Sequence, residues 1–218
     1  MRLVFLGAPG VGKGTQADKV AAQYGVRKIS TGDLLREAVR NRTSLGLEAK
    51  AYMDGGQLVP DSVVIGLVRE KLADPSDAKG FILDGFPRTI PQAEELGKVL
   101  DERGIGLNRI INFQVSRAEI VKRLSGRRSC PKCQATYHVE FAPPKINGVC
   151  DRCSDGLVQR SDDQREAIET RLRVYEEQTA PLIGYYEKKH ILSHLDSEGP
   201  VESVYQSLTK VLAAYDTV

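Results

Sequence analysis

No apolar run in this 218-residue chain approaches the roughly 20 residues that a membrane-spanning helix needs. The opening run is too short for the apolar core of a secretion signal, and a glycine-rich motif follows it at once. A cytoplasmic protein with no membrane association is therefore expected. Tryptophan is absent and aromatics amount to 6%, so stacking surfaces are scarce. The net charge is only +2, which gives no global attraction to nucleic acid or lipid. Internal repeats, low-complexity segments and heptads are lacking, so a monomer is expected. Histidine occurs three times, as His138, His190 and His194, outside every motif described below. Each reads as filler rather than as a catalytic base.

What is present is concentrated at the start. Arg2-Leu3-Val4-Phe5-Leu6 reads as a buried strand, followed by Gly7-Ala8-Pro9-Gly10-Val11-Gly12-Lys13-Gly14-Thr15. A strand that breaks into a glycine-rich turn and then a helix turns backbone N–H groups onto a polyphosphate, and the helix N-terminus adds a favourable dipole. Lys13 supplies a mobile positive charge for the β/γ-phosphates. The usual motif continues with Ser or Thr, whose hydroxyl binds magnesium; here Gly14 follows the lysine. Magnesium must then be held by the nucleotide, by waters and by a carboxylate. Asp84, ending the strand-like run Phe81-Ile82-Leu83-Asp84, is the candidate. The departure argues against a switch GTPase or a motor ATPase.

Apolar runs at residues 2–6, 28–30, 81–84, 109–115 and 191–195 read as strands. Helical periodicity covers 13–24, 32–41, 61–73, 91–102, 117–125, 162–178 and 201–214. Ser116 with Glu119, and Ser161 with Gln164, have capping-box spacing. The alternation predicts an α/β fold: a doubly wound, parallel, five-stranded sheet with helices on both faces, binding ligands at the carboxyl ends of its strands. Two stretches break the rhythm. Residues 31–59 hold helices and little strand. Residues 127–160 are too poor in apolar residues for a core of their own, so they need a staple.

The staple is visible. Cys130-Pro131-Lys132-Cys133 and Cys150-Asp151-Arg152-Cys153 are two C-x-x-C knuckles separated by sixteen residues. This spacing matches a four-thiolate zinc site. Four protein ligands leave no open coordination position, so the zinc is expected to be structural.

Arg36, Arg88, Arg123, Arg127, Arg160 and Arg171 lie beside glycines, helix ends and strand ends. Guanidinium suits bidentate phosphate binding. Arg160 and Arg171 are eleven apart, about three turns if the segment is helical throughout. Asp162 and Asp163 have two readings: first-turn acids complementing the helix dipole, or carboxylates tuning the neighbouring arginines. The expectation leans to the first. Tyr137 either stacks on a ligand or fills a small core.

Gly7 to Thr15, Ser30-Thr31-Gly32-Asp33-Leu34-Leu35-Arg36, Gly56-Gln57-Leu58-Val59-Pro60-Asp61, Gly80-Phe81-Ile82-Leu83-Asp84-Gly85-Phe86-Pro87-Arg88-Thr89 and Gly126-Arg127-Arg128 together resemble adenylate kinases. The resemblance runs in unbroken order from residue 1 to about 215, and the cysteine insert is similar to the zinc-bearing lid of one branch of that family. It implies reversible transfer of the terminal phosphoryl group from magnesium ATP to AMP, giving two ADP. Gly10, Val11, Gly12, Lys13, Gly14 and Thr15 would cradle ATP phosphates, with Arg127, Thr136 and Tyr137 adding ATP contacts from the lid. Thr31, Arg36, Gln57, Leu58, Val59, Gly85, Phe86, Pro87, Arg88 and Gln92 match AMP-contacting positions. Arg123, Arg160 and Arg171 match the closing arginines, the last two also reaching AMP; with Lys13 and Arg88 they form the implied catalytic set. The family usually has Asp-Gly before its last helix, where this chain has Asp196-Ser197-Glu198-Gly199, and Gly199 is carried over as an adenine contact of ATP. The implied division is a core of 1–30, 60–126 and 161–218, an AMP-binding insert of 31–59 and a lid of 127–160.

Two other readings compete. One is a kinase of a different nucleoside monophosphate, against which Thr31 and Gln92 count, because an amide can pair with both the ring nitrogen and the exocyclic amine of adenine. The other is a zinc-ribbon nucleic-acid binder with an ATP switch, suggested by Arg127, Arg128 and Lys132. Asp151, Asp155, Asp162 and Asp163 oppose it.

Overall fold

The computed structural model describes residues 1–74 and 79–214. Five parallel strands form its main sheet: β1 (Arg2–Leu6), β2 (Arg27–Ser30), β3 (Phe81–Asp84), β4 (Arg109–Gln114) and β7 (Leu192–Asp196). Their order is β2-β3-β1-β4-β7. Each lies within a residue or two of its expected position.

The apolar runs of these strands are explained by burial on both faces. Along β1, Leu3 and Phe5 enter one core with Ile82, Ile111 and Phe113, while Val4 and Leu6 enter the other with Phe81, Leu83 and Ile110. Burying a side chain of this size stabilises the fold by about 1.5–3 kcal/mol. The first core is closed by α1 (Lys13–Tyr24), α7 (Arg165–Val174) and α9 (Val201–Ala213), the second by α4 (Asp61–Leu72), α5 (Ile90–Glu102) and α8 (Pro181–Glu187). Among the described residues, no helix is long and apolar enough to cross a membrane.

β1 lies between β3 and β4, so successive connections leave it in opposite directions and open a crevice at its carboxyl end. The glycine-rich turn fills that crevice. Gly7 has φ +133°, and a Cβ there would lie 2.5 Å from the Phe113 carbonyl oxygen of β4. Only glycine lets the chain turn so close to the neighbouring strand.

The segment 31–59 holds α2 (Thr31–Arg40) and α3 (Ser44–Asp54), capped by the Ser30 and Thr43 hydroxyls. A Cβ on Gly46 would overlap the backbone of Ala38, so the two helices cross at backbone contact. Helix α6 (Arg117–Ser125) starts at Ser116, whose hydroxyl accepts from the Glu119 N–H as its spacing predicts. The segment 127–160 is built on a hairpin of β5 (Arg127–Ser129) and β6 (Thr136–His138). Its buried apolar core is only Cys130, Ala135 and Cys150.

The expected helix over 162–178 is not continuous. Ser161–Asp163 is a 3₁₀ turn, Gln164 is extended, α7 follows, Tyr175–Thr179 is π-helical, and α8 is an unforeseen helix. The second capping box does not form. The Ser161 hydroxyl donates instead to Asp54 Oδ1 at 2.6 Å, across to the end of α3.

Candidate functional site

A single cleft of about 1320 Å³ opens at the carboxyl ends of the strands, and its walls come from the glycine-rich turn, the 31–59 segment, the loop after β3 and the 127–160 segment. It exceeds the roughly 300–1,000 Å³ of a typical small-molecule pocket, which suits two ligands side by side. The expected phosphate-contacting residues Gly10 to Thr15 line it. So do Thr31, Arg36, Gln57, Leu58, Val59, Gly85, Pro87, Arg88 and Gln92, together with Arg123, Arg127, Thr136, Tyr137, Arg160, Arg171 and Gly199. Phe86 is the exception. Its backbone belongs to the loop, but its ring is buried in the second core.

Lys13 opens α1, and its ammonium donates to the Gly7 and Ala8 carbonyls at 2.7 and 2.8 Å, curling over the turn. Burial, with Arg88, Arg171 and Arg127 nearby, outweighs Asp84 and lowers its pKa to about 7. Asp84 faces Gly14. A Cβ on that glycine would lie 3.3 Å from Asp84 Oδ2, so the carboxylate occupies the region where other phosphate loops place a magnesium-binding hydroxyl. The donor set therefore fits magnesium.

The arginines converge from distant elements. Arg88 follows β3 and donates through Nε to the Gly85 carbonyl at 2.9 Å. Its pKa is lowered by burial, and Arg36 acts in the same direction. Arg36 sits on α2 and pairs with Asp33 at 2.6 Å. Arg123, near the end of α6, holds Glu119 at 2.8 Å and reaches the Ser197 carbonyl at 3.0 Å. Arg160 donates to Ser129 Oγ at 2.7 Å; burial, with Arg36 and Arg127, pushes its pKa down to about 9. Burial is also the main cause of the Arg171 shift to about 10. Both stay charged at neutral pH. Crowded cations desolvated in this way are relieved by an anion, which is the electrostatic signature of a polyphosphate site.

Asp162 and Asp163 overturn the helix-dipole reading. Asp163 has a fully buried side chain that takes both Nε and an Nη of Arg127 and accepts from Arg171 at 3.0 Å. Asp162 pairs with Arg171 at 3.0 Å. Burial would raise the Asp162 pKa, but Arg171 and Arg127 hold it below the ordinary value. The 3₁₀ turn points both carboxylates inward, so Arg160 and Arg171 share the cleft without lying on one continuous helix. Sequence reading missed Asp33, Asp61 and Lys28. Lys28 ends 2.8 Å from Asp18 and 3.7 Å from Asp33 in the same cleft. The signal for Asp33 was its place three residues before Arg36.

Tyr137 packs against the small core of Cys130, Ala135 and Cys150. It also lines the cleft, and its hydroxyl accepts from the Asp151 N–H at 2.8 Å in the second knuckle. The four cysteine sulfurs all lie within 4.8 Å of one another. Four thiolates at about 2.3 Å from a tetrahedral ion would stand about 3.8 Å apart, so the group fits a metal ion. Of the three basic residues beside it, Lys132 is exposed and the other two are engaged within the fold. Arg127 is spent on Asp163, and Arg128 donates to the Ser125 and Arg127 carbonyls. The nucleic-acid reading thus loses its main support.

The histidines are engaged in contacts within the fold, and His138 also lines the cleft. His138 Nδ1 accepts from the Glu140 and Phe141 N–H groups and its Nε2 meets the Lys122 carbonyl. His194 lies between Asn112 and Glu187, and His190 occupies a left-handed turn.

A family model described as adenylate kinase matches residues 5–191. The adenylate kinase of Carboxydothermus hydrogenoformans is 54% identical over 212 residues, 97% of this chain and 99% of that protein. That of Citrifermentans bemidjiense is 53% identical over 98% of this chain and all of that protein. The Archaeoglobus fulgidus adenylate kinase is 51% identical over 97% of this chain and 98% of its own length.

Proposed function

This chain belongs to the adenylate kinase family, and from that premise we propose that its cleft carries the terminal phosphoryl group of ATP to AMP, giving two ADP. The observation that carries the reading is the convergence of Lys13, Arg36, Arg88, Arg123, Arg127, Arg160 and Arg171 on one cleft from separate parts of the chain.

The acceptor phosphate has a second pKa near ~6, so at neutral pH it is mostly a dianion and needs no base. One of its oxygens attacks the γ-phosphorus, and the bond to the β–γ bridging oxygen breaks. What opposes the step is repulsion between two anions. Gly10 to Thr15 and Lys13 hold the β- and γ-phosphates at the start of α1. Arg36 and Arg88 hold the AMP phosphate, with Thr31, Gln57 to Val59, Gly85, Phe86, Pro87 and Gln92 forming the rest of its site. Arg123, Arg160 and Arg171 face the transferring group and stabilise its spread charge. Arg127, Thr136, Tyr137 and the Gly199 backbone complete the ATP side. Asp84 would hold magnesium through water, and the bound ion would supply positive charge that offsets the charge of the phosphates.

Water must be kept out, or ATP would be hydrolysed. The 31–59 flap and the 127–160 lid meet over the cleft, where Arg40 donates to the Pro131 carbonyl at 2.8 Å. Both close as rigid bodies against the core of 1–30, 60–126 and 161–218. The four thiolates would hold one structural zinc, which would keep the lid folded. The cytoplasm suits this metal site, because it keeps the thiols reduced. The residues named for the site all come from one chain, in keeping with a monomer.

Two measurements test the reading. In coupled assays with AMP, UMP, CMP and GMP, AMP is turned over best; faster turnover of UMP would overturn the acceptor assignment. Stripping the metal with a chelator lowers Tm by about 10 °C and opens protease cuts confined to 127–160, because the lid has so little apolar core of its own. Unchanged Tm and unchanged lid resistance would show that zinc has no structural part.

A further inference from the structure

Asp61 is the first residue of α4, yet it caps nothing there. Its two carboxylate oxygens point across to the start of α5. Oδ2 accepts from the Thr89 hydroxyl at 2.9 Å, and Oδ1 accepts from Gln92 Nε2 at 2.6 Å. Gln92 Oε1 in turn accepts from the Arg88 backbone N–H at 2.8 Å. The Gln92 side chain is almost wholly buried at the wall of the cleft.

A primary amide has two N–H donors and two acceptor lone pairs, and rotating it by half a turn exchanges them. Here both neighbours are one-way partners. A backbone N–H can only donate and a carboxylate can only accept, so the amide is held in one orientation. One N–H and one lone pair remain, with fixed polarity. Adenine offers the complement, an acceptor ring N1 beside a donor exocyclic amine. Hypoxanthine and guanine offer the reverse, a donor N1–H beside an acceptor oxygen. A free glutamine would serve either by rotating.

We propose that Asp61 is a specificity-positioning residue that locks the Gln92 amide and so selects 6-amino purine monophosphates against 6-keto ones. The inference deepens the assignment of Gln92 to the AMP base and rests on it. A keto base meets donor against donor and acceptor against acceptor, leaving buried polar groups unpaired, which is the strongest form of rejection a pocket can make.

The test uses AMP and inosine monophosphate, which share size and phosphate and differ in this edge. The ratio of their kcat/KM values is measured in wild type, Asp61→Asn and Gln92→Ala. Asparagine is nearly isosteric and can present either atom to Gln92, which leaves the Arg88 N–H as the sole one-way partner named for the amide, so in Asp61→Asn the lock weakens and the AMP-to-inosine ratio falls about tenfold. The loss comes from weaker AMP use, with inosine monophosphate use unchanged or raised. If both substrates decline together and the ratio stays at the wild-type value, Asp61 only supports packing at the helix ends and the proposal is wrong. If Gln92→Ala leaves the ratio unchanged, the amide does not face the base, and both the assignment of Gln92 and this inference fail. Should Asp61→Asn not fold, Asp61→Ala, which removes both acceptor oxygens, is read the same way.

Discussion

Replacing Lys13 with alanine lowers kcat by about 10³–10⁵, the range of a single well-placed cation in phosphoryl transfer, or roughly 4–7 kcal/mol of transition-state stabilisation. The fold should survive. The ammonium is half-buried, and its contacts are two hydrogen bonds to the Gly7 and Ala8 carbonyls, worth about 1–2 kcal/mol together. Steady-state kinetics with both nucleotides saturating checks the rate. A second readout follows from burial. Lys13 is pushed down to about 7. A bound polyphosphate adds negative charge and raises that value. Below pH 7 the side chain is charged before and after binding. Above pH 7 it must take up a proton as ATP binds, so ATP affinity falls as pH rises. Calorimetry in buffers of different ionisation enthalpy measures this proton uptake, and Lys13→Ala abolishes it. A variant keeping more than a tenth of wild-type kcat would remove Lys13 from the chemistry.

Asp163→Ala unfolds about 6–20 °C below wild type. The carboxylate has no exposed surface and is the shared counter-charge of Arg127 and Arg171. Removing it leaves the desolvated Arg127 guanidinium without its carboxylate partner and Arg171 with Asp162 alone, and breaking such a buried pair costs about 3–5 kcal/mol. In a chain of this length each kcal/mol moves Tm by about 2–4 °C. The deficit should shrink with a linked two-nucleotide inhibitor bound, because phosphate oxygens then supply the missing negative charge. Calorimetry with and without the inhibitor measures both. A variant melting within 2 °C of wild type would mean that Arg127 and Arg171 are held by other contacts.

The two predictions differ in how far the sequence alone could reach them. Lys13 was legible because phosphate-loop chemistry is contiguous. Strand, turn, lysine and helix start must be neighbours in the chain to be neighbours in space, so residues 2–15 reveal them. The thiol cluster was legible for a similar reason, since each knuckle delivers two ligands within four residues. The five strands were legible because burial on both faces leaves unbroken apolar runs.

The breaks in 161–187 were not legible. A 3₁₀ turn of three residues and a π-turn of five are too short to leave a period of their own in the sequence, so the succession reads as one long helix. The Ser161 hydroxyl prefers Asp54, 107 residues away, to its own helix end. The sequence by itself determined the α/β class, the phosphate turn, the metal knuckles and the set of arginines available. The tertiary structure alone decided which carboxylate answers which arginine, that Phe86 turns into the core, and that Asp61 reaches Gln92. Those choices depend on desolvation, and a side chain's loss of water is set by elements dozens of residues away, which no local pattern records.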